Sequence, residues 1–435
     1  GLSQNPANQP NGSAQKGLFH RLSPNRTHQI ALAIYIAVTL LFFLTAPKER
    51  LSTHTPYNHF ALLAECWSHG RLDLGGPPPA YTGNNDFAVF HGRYYISFPP
   101  FPAVLLLPAV LLRNGAEHVR DGLVFLGLSG IAPAVLFLAL EKLRERGENP
   151  RSEASNIALV QGTVWFAAHV VGAALAALYI YTSIGARFPI LAGLFLGLGF
   201  ATRTPLGFAF PFFLYQALRA HQRGPLPEGA GLLSIIKNTR ADVFEKSLLP
   251  FAVAPSLLLS LLLWHNAARF GNPFEFGHGL LDIAWRGRID KWGLASYHYL
   301  GRNLAVILTS LPFTRTPGAP FQINVHGLAL WITTPIFAWA IWPKQSGSLF
   351  KALAISALLV ALPSLLYQNS GWIQFGYRFS NDYAPFLFVM IALGARRFNV
   401  SFWLLAACAI AVNAFGAITF QRAGFERFYF IDRTQ

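Results

Sequence analysis

Charged side chains are scarce in this sequence, where Asp, Glu, Lys and Arg make up 12% of 435 residues. Soluble proteins carry roughly 25%, and half that value leaves too few charges to cover a water-soluble surface of this size. Cysteine is scarcer still. Cys66 and Cys408 are the only two, which excludes a disulfide framework and a cysteine-rich metal site. Also missing are a Gly-rich phosphate loop ending in Gly-Lys-Ser/Thr, a His-Glu-x-x-His pair and a Gly-x-Ser-x-Gly nucleophile elbow. The 13 histidines do not cluster at metal-ligand spacing, with His54 and His59 the nearest approach. No metal and no cofactor is therefore expected.

Apolar residues take up the space: 53% are hydrophobic, and 38 Phe with 10 Trp and 14 Tyr suit lipid-facing helices and interfacial belts. The formal charge of +15 is scattered among apolar runs rather than gathered in an arm or zinc pattern. That distribution points to anionic lipid head groups and lipid phosphates, not to nucleic acid.

Residues 1–29 are polar and rich in Asn, Gln, Ser and Pro, and read as a disordered tail. Lys16, Arg21 and Arg26 stand before the first apolar run, which makes that tail cytoplasmic by the positive-inside rule. Apolar runs follow at 30–46, 101–112, 123–140, 157–184, 188–215, 248–264, 328–342, 353–366, 383–393 and 402–420. Thr202-Arg203-Thr204-Pro205 splits 188–215 into two helices meeting at one face, because Pro cannot continue the hydrogen-bond ladder.

The expected fold is thus an all-α, polytopic membrane bundle of about eleven spans. Residues 30–420 form the membrane domain, and 421–435 form an outer C-terminal tail. Two long polar segments, 47–100 and 265–327, fall on the outer face. The first is long enough to be folded, with an amphipathic stretch at 57–69 and a strand-like piece at 93–97. Basic loops at 219–246, 344–351 and 396–397 fall inside, but Lys142, Arg144, Arg146 and Arg151 fall outside, against the charge rule.

Chemistry is expected on the outer face. Asp86, and after it Glu65, are carboxylates above a membrane span, placed to act as a general base toward a hydroxyl. Each also reads as an ordinary loop residue, Glu65 pairing with Arg71 and Asp86 capping a turn. Arg203 at the helix break is a cation beside a helix terminus, a good phosphate ligand, or else a snorkelling interfacial side chain. Arg269 and Arg378 share its face, and Arg93 stands at the entry to the second span. Together these arginines suit a pyrophosphate or phosphodiester. His59, Glu275, Tyr377 and Asp382 are polar loop residues suited to sugar or acceptor hydroxyls. His169, inside an apolar helix, fits a helix–helix hydrogen bond better than a ligand role.

The order of these motifs resembles the GT-C superfamily of polyprenyl-phosphate-sugar-dependent glycosyltransferases, which includes protein O-mannosyltransferases and lipid A aminoarabinose transferases. The resemblance is carried by a first span and long loop, by Tyr94-Tyr95-Ile96-Ser97-Phe98-Pro99-Pro100, by the Gly-rich run ending in Thr202-Arg203-Thr204-Pro205, and by Gly376-Tyr377-Arg378-Phe379. It implies an inverting sugar transfer from a polyprenyl-phosphate donor, in a bacterial inner membrane with the active face outside the cytoplasm. Membrane lipids, and other subunits of a membrane complex, are the implied partners. One departure stands out. Many members carry an acid soon after the first span, where this chain has Thr55-Pro56. Asp86 is then the substitute base, and a non-catalytic subunit or a lipid-linked sugar transporter is the alternative.

Overall fold

The computed structural model describes residues 23–82, 86–148, 167–225, 230–283, 285–313 and 321–431. Six of its helices are long and apolar enough to cross a membrane: Pro24–Thr45, Asp121–Glu145, Ala167–Ala186, Phe244–Phe270, Ser348–Leu365 and Val400–Thr419. The chain is by this measure a helical membrane protein. Two short two-stranded sheets interrupt the all-α expectation. The count of about eleven spans is not reached by long helices. Pro189–Phe200 is shorter, and 330–341 is three short helical pieces with Pro335 opening the middle one.

The first helix starts at Pro24, inside the expected tail, because Ser23 accepts the Arg26 N–H and Pro24 has no N–H to leave unpaired. The rest of the tail, 1–22, lies outside the described residues, as do Arg151 and the part of the 157–184 run before Ala167. The other end is also structured. Tyr429–Phe430 pairs in parallel with Ile323–Asn324, so the stretch after Thr419 is tied back onto the second long loop.

Contacts between helix ends sort the chain into two faces. On the upper face Thr55 meets Asp121, Arg203 and His169 meet Asp382, Arg269 meets Ile96, and Arg422 meets Thr45. On the lower face Lys142 donates to Tyr181 O, Gln216 accepts from Gly185 N, and Lys344 N donates to Gly394 O. Glu148, paired with Arg146, lies on the lower face and Ala167 on the upper.

This pattern corrects the expected second span. The Phe101–Arg113 helix does not cross. Phe101 N–H donates to Ala201 O on the upper face, and the chain leaving the helix is still there, with Gly115 against Glu65 and Asp121 against Thr55. The helix runs instead beside His59–Ser68, burying Leu106 and Val110 between them and the core. Thirteen residues give a helix of about 20 Å, short of a bilayer core. Removing this crossing puts Lys142, Arg144 and Arg146 on the lower face, and Arg219 and Lys344 stay there because Glu148 and Ala167 stand on opposite faces. For these three residues the conflict with the charge rule disappears.

Single cysteines in a Cys66→Ala/Cys408→Ala background test this. Ser52→Cys and Arg113→Cys are expected to react with an impermeant maleimide from one side of the membrane, and Gln345→Cys only from the other. Labelling of Arg113→Cys together with Gln345→Cys would restore the crossing.

Close packing sets the helix that carries Arg203. A Cβ on Gly193 would come within 2.0 Å of Phe251 O, and one on Gly197 within 3.1 Å of Pro255 Cα. Small residues four apart let the Pro189–Phe200 and Leu249–Phe270 backbones touch, which in an apolar medium is the main source of helix association. Phe212, Phe213, Tyr179 and Phe386 fill the main core beside them.

Candidate functional site

Three segments converge on the upper face. The first is a hairpin, β1 Phe87–Phe90 with β2 Arg93–Ile96, closed by His91-Gly92 with φ of 49° and 73°. Two positive φ values in a two-residue loop match the twist of the strands. Asp86 stands at the open end of this hairpin. Its φ is 64°, a region that Asp tolerates better than most residues. Its carbonyl accepts the Ser97 hydroxyl at 3.3 Å, and its side chain is exposed.

The second segment is the helix break. Arg203 is extended, with its N–H on Gly199 O at 2.7 Å, and a 3-10 turn, Thr204–Ala209, follows. Its guanidinium forks onto Asp382: Nε to Oδ1 at 3.0 Å and Nη2 to Oδ2 at 2.7 Å. Asp382 is 1% exposed and lies in the first turn of Ser380–Leu393, where the helix dipole favours an anion. His169 brings Nδ1 to 3.4 Å from Oδ1. A bidentate, charge-assisted pair with a further polar neighbour is the arrangement that tolerates burial.

The third segment is the loop between Leu365 and Ser380. Gln374 holds it, accepting the Arg378 N–H at 3.0 Å and donating to Ser370 O at 2.8 Å and His326 O at 2.6 Å. The guanidinium carbons of Arg203 and Arg378 lie 5.3 and 5.5 Å from the Phe379 ring centroid, so this one ring positions both cations. Rings then lead from the cations to the hairpin: Phe379 to Tyr367 at 6.3 Å, Tyr367 to His278 at 6.5 Å, and His278 to Phe98 at 6.4 Å.

Electrostatics ties Asp86 to this group, since its charge acts on His278, Tyr367 and Arg378. Burial and the neighbouring Arg203 pull Arg378 down to about 10, and Asp86 opposes the fall. Burial pulls His278 below the usual imidazole range and pushes Tyr367 above the usual phenol range. At neutral pH the site therefore offers a charged guanidinium, a neutral imidazole and a protonated phenol beside the Asp86 carboxyl group.

The structure distributes the other candidates unevenly. His59 is buried under the hairpin, 4.7 Å from the Phe87 ring and 5.4 Å from Phe98. Glu275 accepts the Gly277 N–H at 2.6 Å and acts on His278 from the second long loop. Tyr377 and Phe379 pack edge to face, with ring centroids 5.7 Å apart. Glu65 faces the turn at Gly115 and His118 and not the cations. Arg93 pairs with Asp73 at 3.0 Å on the exposed hairpin. Arg269 is buried, donating to Ile96 O at 2.8 Å and Asn266 Oδ1 at 2.7 Å, and so fastens the hairpin to the Leu249–Phe270 helix. Of the arginines expected to hold a phosphate, Arg203 and Arg378 are adjacent here, and Arg203 already holds a carboxylate.

Sequence reasoning missed Tyr367 and Asp121. Asp121 is buried and takes the Thr55 N–H at 2.7 Å and hydroxyl at 2.6 Å. A carboxylate does lie against Thr55-Pro56, then, but it comes from the start of the Asp121–Glu145 helix, 66 positions on, and both its oxygens are engaged. An acid at the start of an apolar run signals a helix N-terminus, and nothing in the sequence names its partner.

No family model matches this sequence, and no curated protein sequence matches it. Solved structures of the Archaeoglobus fulgidus oligosaccharyltransferase do. The apo form is 16% identical with a TM-score of 0.46, over 90% of this chain and 55% of that one. The same organism's oligosaccharyltransferase AglB, in complex with an inhibitory peptide and a dolichol-phosphate, is 14% identical with a TM-score of 0.43, over 89% and 55%. The chain thus spans about half the length of the structures it matches.

Proposed function

We propose that this chain transfers a sugar from a polyprenyl-phosphate donor to an acceptor hydroxyl on the upper face. The observation that carries the reading is the Asp86 carboxyl group in the field of Arg378, beside the Arg203–Asp382 pair, at the top of helices with lipid-facing apolar surfaces. Asp86 takes the acceptor proton as the acceptor oxygen attacks the anomeric carbon. The bond from that carbon to the phosphate oxygen breaks, with inversion, and polyprenyl phosphate leaves. Arg378, with Arg203 beside it, meets the charge that grows on the leaving phosphate. Neutral His278 and the Tyr367 hydroxyl are placed to bond sugar hydroxyls. By the charge rule the Lys142 face is cytoplasmic, and the site lies outside it.

Arg378→Gln is expected to weaken polyprenyl-phosphate binding about tenfold or more, since a bond to a charged group is worth about 1.5–3 kcal/mol. Affinity is read by titrating the lipid into purified protein in detergent. Unchanged affinity would remove the phosphate role. A second reading, a membrane subunit without turnover, is favoured by Thr55 at the expected acid position and by the engagement of Asp121 with it. Lipid binding without sugar transfer would support that reading.

A further inference from the structure

A second basic site lies on the upper face, where the first and last long helices end. A cavity of about 640 Å³ is lined there by Lys48, Glu49, Arg50, His54, Gln421 and Arg422, among others. Its size falls within the range of small-molecule sites. The cations come from distant parts of the chain and are held in place. Arg422 donates to Thr45 O and to Ala417 O, carbonyls in the last turns of Pro24–Thr45 and Val400–Thr419. Those carbonyls carry the negative ends of the two helix dipoles and fix the guanidinium against both helices. Arg50 reaches across to Gln421 Oε1 at 3.3 Å. Among the described residues that line the cavity, Lys48, Arg50 and Arg422 are the Lys and Arg side chains and Glu49 is the one carboxylate, with His54 beside them. The nearby Asp121 carboxylate already accepts two bonds from Thr55. Burial, and after it the like charge of Arg422, pulls Arg50 down to about 10. An anion between the two would relieve that repulsion.

The surroundings decide which anion. Below the cavity both helices present apolar side chains outward: Leu44 is 72% exposed and Ile418 51% exposed, with Leu40 and Leu41 continuing the strip. A phosphate in the cavity therefore sits at the top of a surface suited to acyl chains. We propose that this cavity binds the phosphodiester head group of an anionic phospholipid, with Lys48, Arg50 and Arg422 as its cationic partners. The site is separate from Asp86 and Arg378, and its occupancy does not depend on sugar transfer.

Native mass spectrometry of the full chain, released from phosphatidylcholine nanodiscs with and without phosphatidylglycerol, tests this. Phosphatidylglycerol is expected to be retained in preference to phosphatidylcholine. Arg50→Gln should lower that preference about tenfold, the loss of one charge-assisted bond. Thr53→Trp keeps every charge and fills the cavity, and should lower it as well, which guards against a charge variant that fails to fold. Equal retention of the two lipids, or parent-like preference in both variants, would overturn the proposal. Displacement of phosphatidylglycerol by excess inorganic phosphate as complete as by excess lipid would overturn the choice of a lipid.

Discussion

Asp86→Asn is expected to lower sugar transfer about 100-fold or more, the usual cost of losing a general base, with thermal stability unchanged. The two readings of Asp86, base or turn residue, separate at this substitution. Asn tolerates the left-handed backbone as Asp does, and the Ser97 bond is to the Asp86 carbonyl, which the substitution keeps. A structural role would therefore survive. An amide cannot accept the acceptor proton, so a catalytic role would not. Transfer from a polyprenyl-phosphate sugar in detergent, measured beside thermal unfolding, decides between them. Normal turnover would take Asp86 out of the mechanism. Glu65→Gln would then be the next variant, although Glu65 faces Gly115 and not the cations.

Asp382→Ala should destabilise the protein by about 3 kcal/mol, the lower end for breaking a buried pair by removing one partner. The lower end applies because Arg203 keeps 19% of its side-chain surface exposed, whereas Asp382 has 1%. What remains is a guanidinium packed on Phe379 beside a second cation, Arg378, with no carboxylate on its fork. The double variant Arg203→Met/Asp382→Leu should be less destabilised than Asp382→Ala alone, because no charge is stranded. Thermal unfolding in detergent measures these variants beside Arg203→Met and Asp382→Leu alone. Losses that simply add would mean that the pair is not coupled, and that Asp382 is not what positions Arg203. The geometry makes Asp382 a positioning residue, since both its oxygens are engaged by Arg203.

Much of the local order was legible in the sequence. The scarcity of charge and the long apolar runs call for membrane helices, since an apolar face of that length has no other stable solvent. The strand-like piece at 93–97 is the strand Arg93–Ile96, and the amphipathic stretch at 57–69 contains the His59–Ser68 helix. The break at Thr204-Pro205 followed from proline's missing donor. The 101–112 run misled, because composition is the same for a helix that crosses a bilayer and one that lies along its surface. Its direction was decided by where its ends are held, at Ala201 and at the Glu65 turn.

The sequence by itself determined the class of protein and the chemistry available to it: apolar spans, one broken helix with a cation at the break, and polar loops rich in Arg, Asp, His and Tyr. Which of those groups meet was decided by tertiary structure alone. Arg203 and Asp382 are 179 positions apart, and Thr55 and Asp121 are 66 apart. A carboxylate reads the same in sequence whether it ends in water, on an arginine fork or on a threonine. Packing assigned each one: Gly193 and Gly197 seat the helix that leads to Arg203, and Phe379 places both cations beside Tyr367. Local propensity acts over a few residues, while the energy of a buried charge depends on the partner that folding brings to it.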